Sequence, residues 1–591
     1  MASSVANPEA SRLRVGLIGS GKMGLQHLKA IAACGRATAV GVADPAADRE
    51  QLASLLPPDT PVFASAAELL ALNPDVVHIV TPPATHADLA RQAISAGCHV
   101  YVEKPFTPTR AEAVDVLALA EKRGVSVCPG HQVLFETPAL AALELLPQLG
   151  RLVHVESYFS FRTARRTITP VAQAKDILPH AVYPLVQQMR VGTGLDQDRF
   201  ELVGLDVRAE GDVYALVRLG GATGVLMVTL NGRPVEHYQQ VVGTNGWLRA
   251  DYISGSLTKV LGPVAGPSVL FTAYRRAVQG FTGATRGIWR LIFGRAGSYP
   301  GLFTLVDRFY ERVQQGWPAP LPPRSIVDTV EICDAIGEAL DQAERQEEAA
   351  ARTRLAEQES GLPPLMPVPG VLVTGGTGLL GRKVVEELRR AGLPVRALAR
   401  RLPRFGSRVP GVEYVAADLA RPLDSALLAG IGVVAHCAAE TSGGRDDQKR
   451  NSVDATRNLL EAARAAGVTR CIHVSSLGIL KPGREVGGPL DESSPVDAGN
   501  PKRGPYVWGK AESELLAQRL GLELELQVKV IRPGPLVDFN AFEPPGRLGR
   551  ELGSIFVAVG GKRTPLSVCD VTTAARVIRW YIEEFETAPA M

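Results

Sequence analysis

One pattern occurs twice in this chain and limits its fold more than any other feature. A short β-prone run breaks on glycines straight into a helical run, first in VGLIGSGKMG at 15–24 and again in VLVTGGTGLLG at 371–381. In the first, Gly19, Gly21 and Gly24 form GxGxxG, with Lys22 and Met23 between them. In the second, Val371–Thr374 lead into glycines 375, 376, 378 and 381, and KVVEELRRAG follows. Glycines at such a turn let backbone N–H groups approach phosphate oxygens, and the helix N-terminus adds partial positive charge. Each unit therefore predicts the start of an α/β, Rossmann-type nucleotide-binding domain. A chain with two of them reads as two enzymes joined end to end.

The rest of the composition narrows the class. A length of 591 residues suggests about four domains. A net charge of +3 with 21% charged residues gives no whole-chain reason to invoke nucleic acid or an anionic membrane. The seven cysteines are scattered without a CxxC pair, so they read as buried thiols in a reducing compartment and not as a zinc site. Residues 1–11 read as a flexible tail without a signal-peptide pattern, and no run of eighteen apolar residues suggests a membrane span. A cytoplasmic protein is expected.

In the first half, the strand ATAVGVADP ends on Asp44, twenty residues after Gly24. An acid there hydrogen-bonds the adenosine ribose and repels a 2′-phosphate, which predicts NAD; the plainer reading is an N-cap before PAADRE. Farther on come TPPATHADLA, with Thr81, Pro82 and His86, and EKP, with Glu103, Lys104 and Pro105. With these motifs in this order the half resembles the Gfo/Idh/MocA oxidoreductases. The resemblance implies that Thr81, Pro82, His86 and Glu103 line the cofactor, and that Lys104 sits beside the nicotinamide and holds the substrate hydroxyl. An ammonium within hydrogen-bond reach would stabilise developing alkoxide.

After GVSVCPGHQ the α/β rhythm stops. RLVHVESYFSFR, FELVGLDVRAEG, VYALVRL, GVLMVTLNG, HYQQVVGTNGWLRADY and SLTKVLG read as strands of an open, mostly antiparallel sheet. In the family such a sheet covers the cofactor and often forms a dimer face, so a homo-oligomer is expected. DILPH puts Asp176 and His180 four apart, on one face of a helix. The resemblance gives His180 proton exchange with the substrate hydroxyl, and gives Asp176 the positioning of substrate and histidine. Leu178, Pro179 and Tyr183 depart from the family pattern there, as do His131 and Gln132, where an Asn-Arg pair is usual. Residues 263–320 include a basic amphipathic stretch (Arg286, Trp289, Arg290, Phe293, Arg295) that reads either as a surface for a lipid or acidic partner or as packing on its own domain. IVDTVEICDAIGEAL reads as a closing helix. The expected divisions are 12–130 (Rossmann), 131–345 (substrate and oligomerisation), 346–369 (a linker of helix extension and proline segment) and 370–591.

The second half resembles the extended short-chain dehydrogenases, the nucleotide-sugar epimerase and dehydratase group. TGGTGLLG matches TGxxGxxG, which implies that Gly375, Thr377, Gly378, Leu379, Leu380 and Gly381 cradle a diphosphate. The strand VRALARR ends on Ala399 where an NAD-selecting acid would sit, and Arg400 and Arg401 follow; a guanidinium there suits the 2′-phosphate of NADP. Asp418 would meet the adenine edge, Ala438 and Ala439 would lie under the cofactor, and Leu419 and Pro533 of RPGPLVD are expected among the cofactor-binding residues. YVWGK supplies Tyr506 and Lys510, and HVSS supplies Ser476. A lysine one helical turn from a tyrosine lowers the phenol pKa by its charge, so Tyr506 can exchange a proton near neutral pH. The resemblance adds that Lys510 holds the nicotinamide ribose and that Ser476 bonds the reacting oxygen. Residues 370–591 are few for the extended branch, which implies a substrate pocket that is open, minimal or completed by the first half.

Together these motifs predict a bifunctional NAD(P)-dependent oxidoreductase acting on a sugar, nucleotide sugar or cyclitol, one half oxidising an alcohol and the other reducing or epimerising. The alternative is one catalytic half joined to an NADP-sensing or scaffold domain. No metal or nucleic acid is expected.

Overall fold

A computed structural model describes residues 12–161, 168–262, 268–292, 299–362, 364–481, 490–492, 494–498, 503–540, 549–552, 555–558 and 568–590. The expected tail at 1–11, Phe293, Arg295, and the side chains of Arg286, Trp289 and Arg290 lie outside this description. The chain divides into two compact units, Met1–Gln346 and Glu347–Met591.

In the first unit a six-stranded parallel sheet runs Val62–Phe63, Ala37–Ala43, Leu13–Ile18, Val76–Ile79, His99–Val102, Val127–Pro129. Helices at Lys22–Ala33, His86–Ser95 and Arg110–Arg123 join the strands. The central strands are apolar throughout because helices cover both faces; Val15, Leu17, Val76, Val77 and Ile79 are fully buried. Strand order reverses between Leu13–Ile18 and Val76–Ile79, and open sheets of this kind take ligands in the crevice at the carboxyl ends of the strands at such a switch point.

A second, seven-stranded sheet follows, ordered Ser256–Leu261, Gly246–Asp251, His237–Gly243, Leu152–Ser160, Ala222–Thr229, Val213–Leu219, Glu201–Val207. One pair, Leu152–Ser160 with Ala222–Thr229, is parallel and the others are antiparallel. Period-two patterning gives it one dry face: Val213, Ala215, Val217 and Leu219 are buried while Tyr214, Leu216 and Arg218 point outward. Onto the dry face packs the helix Pro170–Thr193, through Ile177, Leu178, Ala181, Leu185 and Met189. Thr169 caps this helix by accepting the Ala172 N–H at 3.1 Å. Asp176 and His180 ride on it.

The second unit repeats the first sheet's topology: Glu413–Ala416, Val395–Ala399, Gly370–Thr374, Ile431–His436, Arg470–Val474, Gln527–Ile531, all parallel. Its helices include Leu379–Arg390, Ala455–Ala465, Gly504–Glu523 and Val571–Glu583. One helix spans Pro323–Ser360, so the charged run at 343–360 is helical, and prolines follow it.

Candidate cofactor and active sites

Both glycine turns are built for close approach. A Cβ on Gly24 would lie 2.2 Å from the Gly19 carbonyl oxygen, and one on Gly381 would lie 2.1 Å from that of Gly375. Neither position can carry a side chain, so each helix starts hard against its strand. The helices Lys22–Ala33 and Leu379–Arg390 begin with no side-chain cap and no acid in the first turn. Their first N–H groups and dipoles are left for an anion. A dinucleotide fits both cradles.

Around the first cradle, Asp44 stands half-buried at the end of its strand. Its Oδ2 accepts from the Ser20 backbone N–H (2.7 Å) and hydroxyl (2.8 Å), and its Oδ1 from the Ala46 N–H (2.8 Å). Burial works to raise its pKa, but these donors outweigh it and hold the carboxyl below its ordinary value. Asp44 thus fastens the glycine loop. Thr81 bonds Thr85 through their hydroxyls at 2.7 Å. His86 is buried, and its ring nitrogens meet the carbonyls of Pro105 and Thr81, each at 2.8 Å. It ties two loops of the crevice together and has no ring nitrogen left for a ligand.

Lys104 lies just past the carboxyl end of the strand His99–Val102, and its Nζ donates to the Asp176 carboxylate (2.9 Å) and backbone carbonyl (3.0 Å). His180 stands one turn farther along the helix. Its Nδ1 meets the Tyr183 hydroxyl at 3.3 Å, and Tyr183 stacks on His131 with ring centroids 4.4 Å apart. Burial pushes His180 well below the usual histidine range, with help from the Lys104 cation, His237 and His131. It is therefore a neutral imidazole beside a cation. Asp176 and His180 share a face as expected, but each has a different partner: Asp176 takes Lys104, and His180 takes Tyr183.

In the second unit, Lys510 lies one turn after Tyr506 on Gly504–Glu523. Its Nζ is buried and donates to the Val474 carbonyl at 2.7 Å. Burial pushes Lys510 down to about 8, against the opposing pull of Cys437 and Glu514. Ser476 Oγ accepts the Gly478 N–H at 3.1 Å and opens a short turn, whereas the buried Ser475 hydroxyl has no hydrogen-bond partner among the described residues. Ala438 backs the glycine turn: a Cβ on Gly375 would come within 2.9 Å of its Cα. Asn458 donates to the Leu419 carbonyl (2.8 Å), Asp418 accepts the Ala420 N–H (3.1 Å), and Pro533 accepts the Leu477 N–H (3.0 Å). Arg400 is exposed just past Ala399.

Known proteins match the chain in two stretches, one beginning at each glycine turn. Residues 13–131 match the model of the oxidoreductase family with an NAD-binding Rossmann fold (Gfo/Idh/MocA), and residues 371–543 match that of the NAD-dependent epimerase/dehydratase family. The chain joins a Gfo/Idh/MocA domain to an epimerase/dehydratase domain. Among curated relatives, the uncharacterised oxidoreductase YhhX of Escherichia coli (strain K12) is 37% identical over 121 residues, 20% of this chain and 33% of that one. The UDP-N-acetylglucosamine 3-dehydrogenase of Acidithiobacillus ferrooxidans is 38% identical over 121 residues, 20% of this chain and 37% of that one. The solved structure of the latter, GnnA, aligns at 19% identity with a TM-score of 0.43, covering 56% of this chain and 99% of that one. The chain spans about a third of the length of the curated relatives it matches.

Sequence reading overlooked two buried networks. In the Gfo/Idh/MocA domain, Glu103 Oε1 accepts from Gln132 (2.6 Å) and meets His27 Nε2 (3.0 Å), while its Oε2 accepts the Lys104 N–H (3.1 Å). His27 Nδ1 meets His78 Nδ1 at 2.8 Å, and His78 Nε2 meets the Tyr310 hydroxyl at 2.8 Å. Burial keeps His78 well below the usual histidine range, hence neutral. Run from Tyr310 towards Glu103, the row satisfies every donor: the phenol donates to His78 Nε2, His78 Nδ1–H to His27 Nδ1, and His27 Nε2–H to Glu103 Oε1. Burial also works to raise Glu103, but the His27 bond and charge and Lys104 outweigh it and leave it ionised. The backbone that carries Lys104 is thereby pinned from beneath. The available signal was a histidine three residues after the last glycine of GxGxxG, and another inside the apolar strand VVHI.

In the epimerase/dehydratase domain, the Thr374 hydroxyl meets His436 Nδ1 (2.7 Å), and His436 Nε2 meets the Thr456 hydroxyl (3.0 Å). Thr456 donates to the Ser452 carbonyl, and the Thr374 oxygen accepts the Ala438 N–H. His436 is therefore the Nε2–H tautomer, and burial pushes it to about 3. It locks two strand ends beneath the cofactor cradle.

Proposed function

We propose that the chain is a two-site NAD(P)-dependent oxidoreductase acting on a carbohydrate-type alcohol or ketone. What carries the reading is Lys104, paired with Asp176 at 2.9 Å one turn from a neutral His180, at the carboxyl end of a Rossmann strand. Bound nicotinamide would supply the hydride chemistry. Lys104 would hold the substrate oxygen and stabilise negative charge on it. His180 Nε2, the ring nitrogen not engaged by Tyr183, would take the hydroxyl proton in oxidation and return it in reduction. Asp176 would aim the ammonium. The sugar-nucleotide activity named for the Acidithiobacillus relative supports the substrate class.

In the second unit Tyr506 would exchange the proton, with Lys510 nearby to favour phenolate and Ser476 on the reacting oxygen. Asp44 supports NAD in the first unit, and Arg400 and Arg401 support NADP in the second. The outward face of the seven-stranded sheet, with Tyr214 and Leu216 exposed, supports docking of a second copy.

A panel of sugars, cyclitols and nucleotide sugars, assayed with the full chain and both cofactors, tests the proposal. Turnover with NAD that is abolished by Lys104→Met, and a second activity with NADP that is abolished by Tyr506→Phe, are expected. Turnover lost only in Lys104→Met, with NADPH still bound, would reduce the second unit to a sensor. Turnover undiminished in Lys104→Met would overturn the assignment of the first.

A further inference from the structure

From Tyr252 to Val306 the sequence holds no Asp or Glu, although 61 of 591 residues are acidic overall. The same stretch carries Lys259, Arg275, Arg276, Arg286, Arg290 and Arg295. A whole-chain charge of +3 conceals this segregation.

Within the stretch lies the helix Ser268–Ile292. One face is fastened to the domain. Gln279 grips the edge strand by accepting the Lys259 N–H (2.8 Å) and donating to the Lys259 carbonyl (3.1 Å). Arg276 lies over the Trp247 ring at 5.2 Å, and a Cβ on Gly283 would come 2.8 Å from Ser256. The opposite face turns outward with a stripe at helical spacing: Phe271 (68% exposed), Tyr274 (74%), Val278 (49%) and Phe281 (75%). Arg275 is exposed beside it. Exposing three aromatic rings in succession along about 15 Å of helix is costly for a water-facing surface.

We propose that this helix docks the protein on an anionic lipid bilayer, with the aromatic stripe sunk at the headgroup boundary and Arg275 on lipid phosphates. The contacts that anchor the helix among the described residues lie along its back, so a fluid bilayer can cover the stripe without a complementary groove. Aromatic rings favour that boundary, and cations beside them add attraction to anionic headgroups. A second copy would instead bring the same positive stretch against itself.

The test is co-sedimentation of the full chain with vesicles of phosphatidylcholine alone and of phosphatidylcholine with about 30% phosphatidylglycerol. Binding to the mixed vesicles, weakened by 0.5 M salt, and an at least tenfold loss of partitioning in Phe271→Ser/Phe281→Ser are expected (~1.4 kcal/mol or more). The surface charge reversal Arg275→Glu, which leaves the stripe intact, should weaken binding to anionic vesicles alone. Failure of the wild-type chain to sediment with either vesicle would overturn the proposal. So would a serine variant that is folded by circular dichroism and binds as well as wild type. A fall in molar mass by light scattering in that variant would assign the stripe to contact between copies instead.

Discussion

Lys104 and Lys510 are the site lysines of the two units, the first just past the strand His99–Val102 and the second on the helix Gly504–Glu523, and their surroundings are opposite. Lys104 meets a carboxylate at 2.9 Å, with a neutral histidine one turn away. Lys510 is buried on the neutral Val474 carbonyl, and burial brings its pKa down to about 8. The same residue type is thus an ion-paired anchor in one unit and a titrating group in the other, and the neighbours make the difference. An ionised partner offsets desolvation of an ammonium, while a carbonyl offsets less of it.

The largest expected effect breaks the first half of this comparison. Lys104→Met should lower kcat of the NAD-linked reaction about 10²–10³-fold and leave NADH affinity within a few-fold. Steady-state rates against cofactor titrations check this, and an unchanged kcat would remove Lys104 from the reacting oxygen. Next in size is His27→Leu, which strands Glu103 and His78 in the core. A stability loss of about 1–3 kcal/mol by urea unfolding is expected, together with a lower kcat as the Lys104 backbone loosens. A fully stable variant would mean that the row of histidines holds nothing.

The pH behaviour of Lys510 sharpens the other half. Its folded pKa, about 8, lies below the ordinary value of 10.5, so the unfolded chain holds more protons between those two pH values. The cost of burying the cation is fully present below pH 8 and is relieved as pH rises towards 10.5. Lys510→Met should therefore be more stable than wild type at pH 7, with the gap closing by pH 10.5. Melting temperatures of both proteins across that range check the sign, and a constant gap would contradict the titration. The smallest effect concerns selectivity: Arg400→Ser should lower the NADPH preference of the second unit about tenfold, read by competitive binding.

Much of this was legible in the sequence because it is local. The strand–glycine–helix turns, the EKP loop, Asp176 and His180 at helical spacing, and YxxxK each depend on a few adjacent residues. The alternation in VYALVRL likewise foretold a sheet with one dry face. What stayed hidden is long-range. Tyr310 meets His78 across more than two hundred residues, and Thr456 meets His436 through a turn of helix that the strand motif does not mention. Nor could spacing reveal that Asp176 pairs with Lys104 and not with His180, since Lys104 comes from a strand end 72 residues earlier. His86 reads as a ligand residue in its motif, yet two carbonyls brought together by the fold occupy its ring.

The most direct measurement is an equilibrium titration of the full chain with NADH and NADPH, repeated for Gly24→Val and Gly381→Val. Two independent sites per chain are expected, the first abolished by Gly24→Val alone and the second by Gly381→Val alone, so that the surviving site reports the fold in each variant. A single site per chain, or loss of both sites to either substitution, would contradict two separate cofactor cradles.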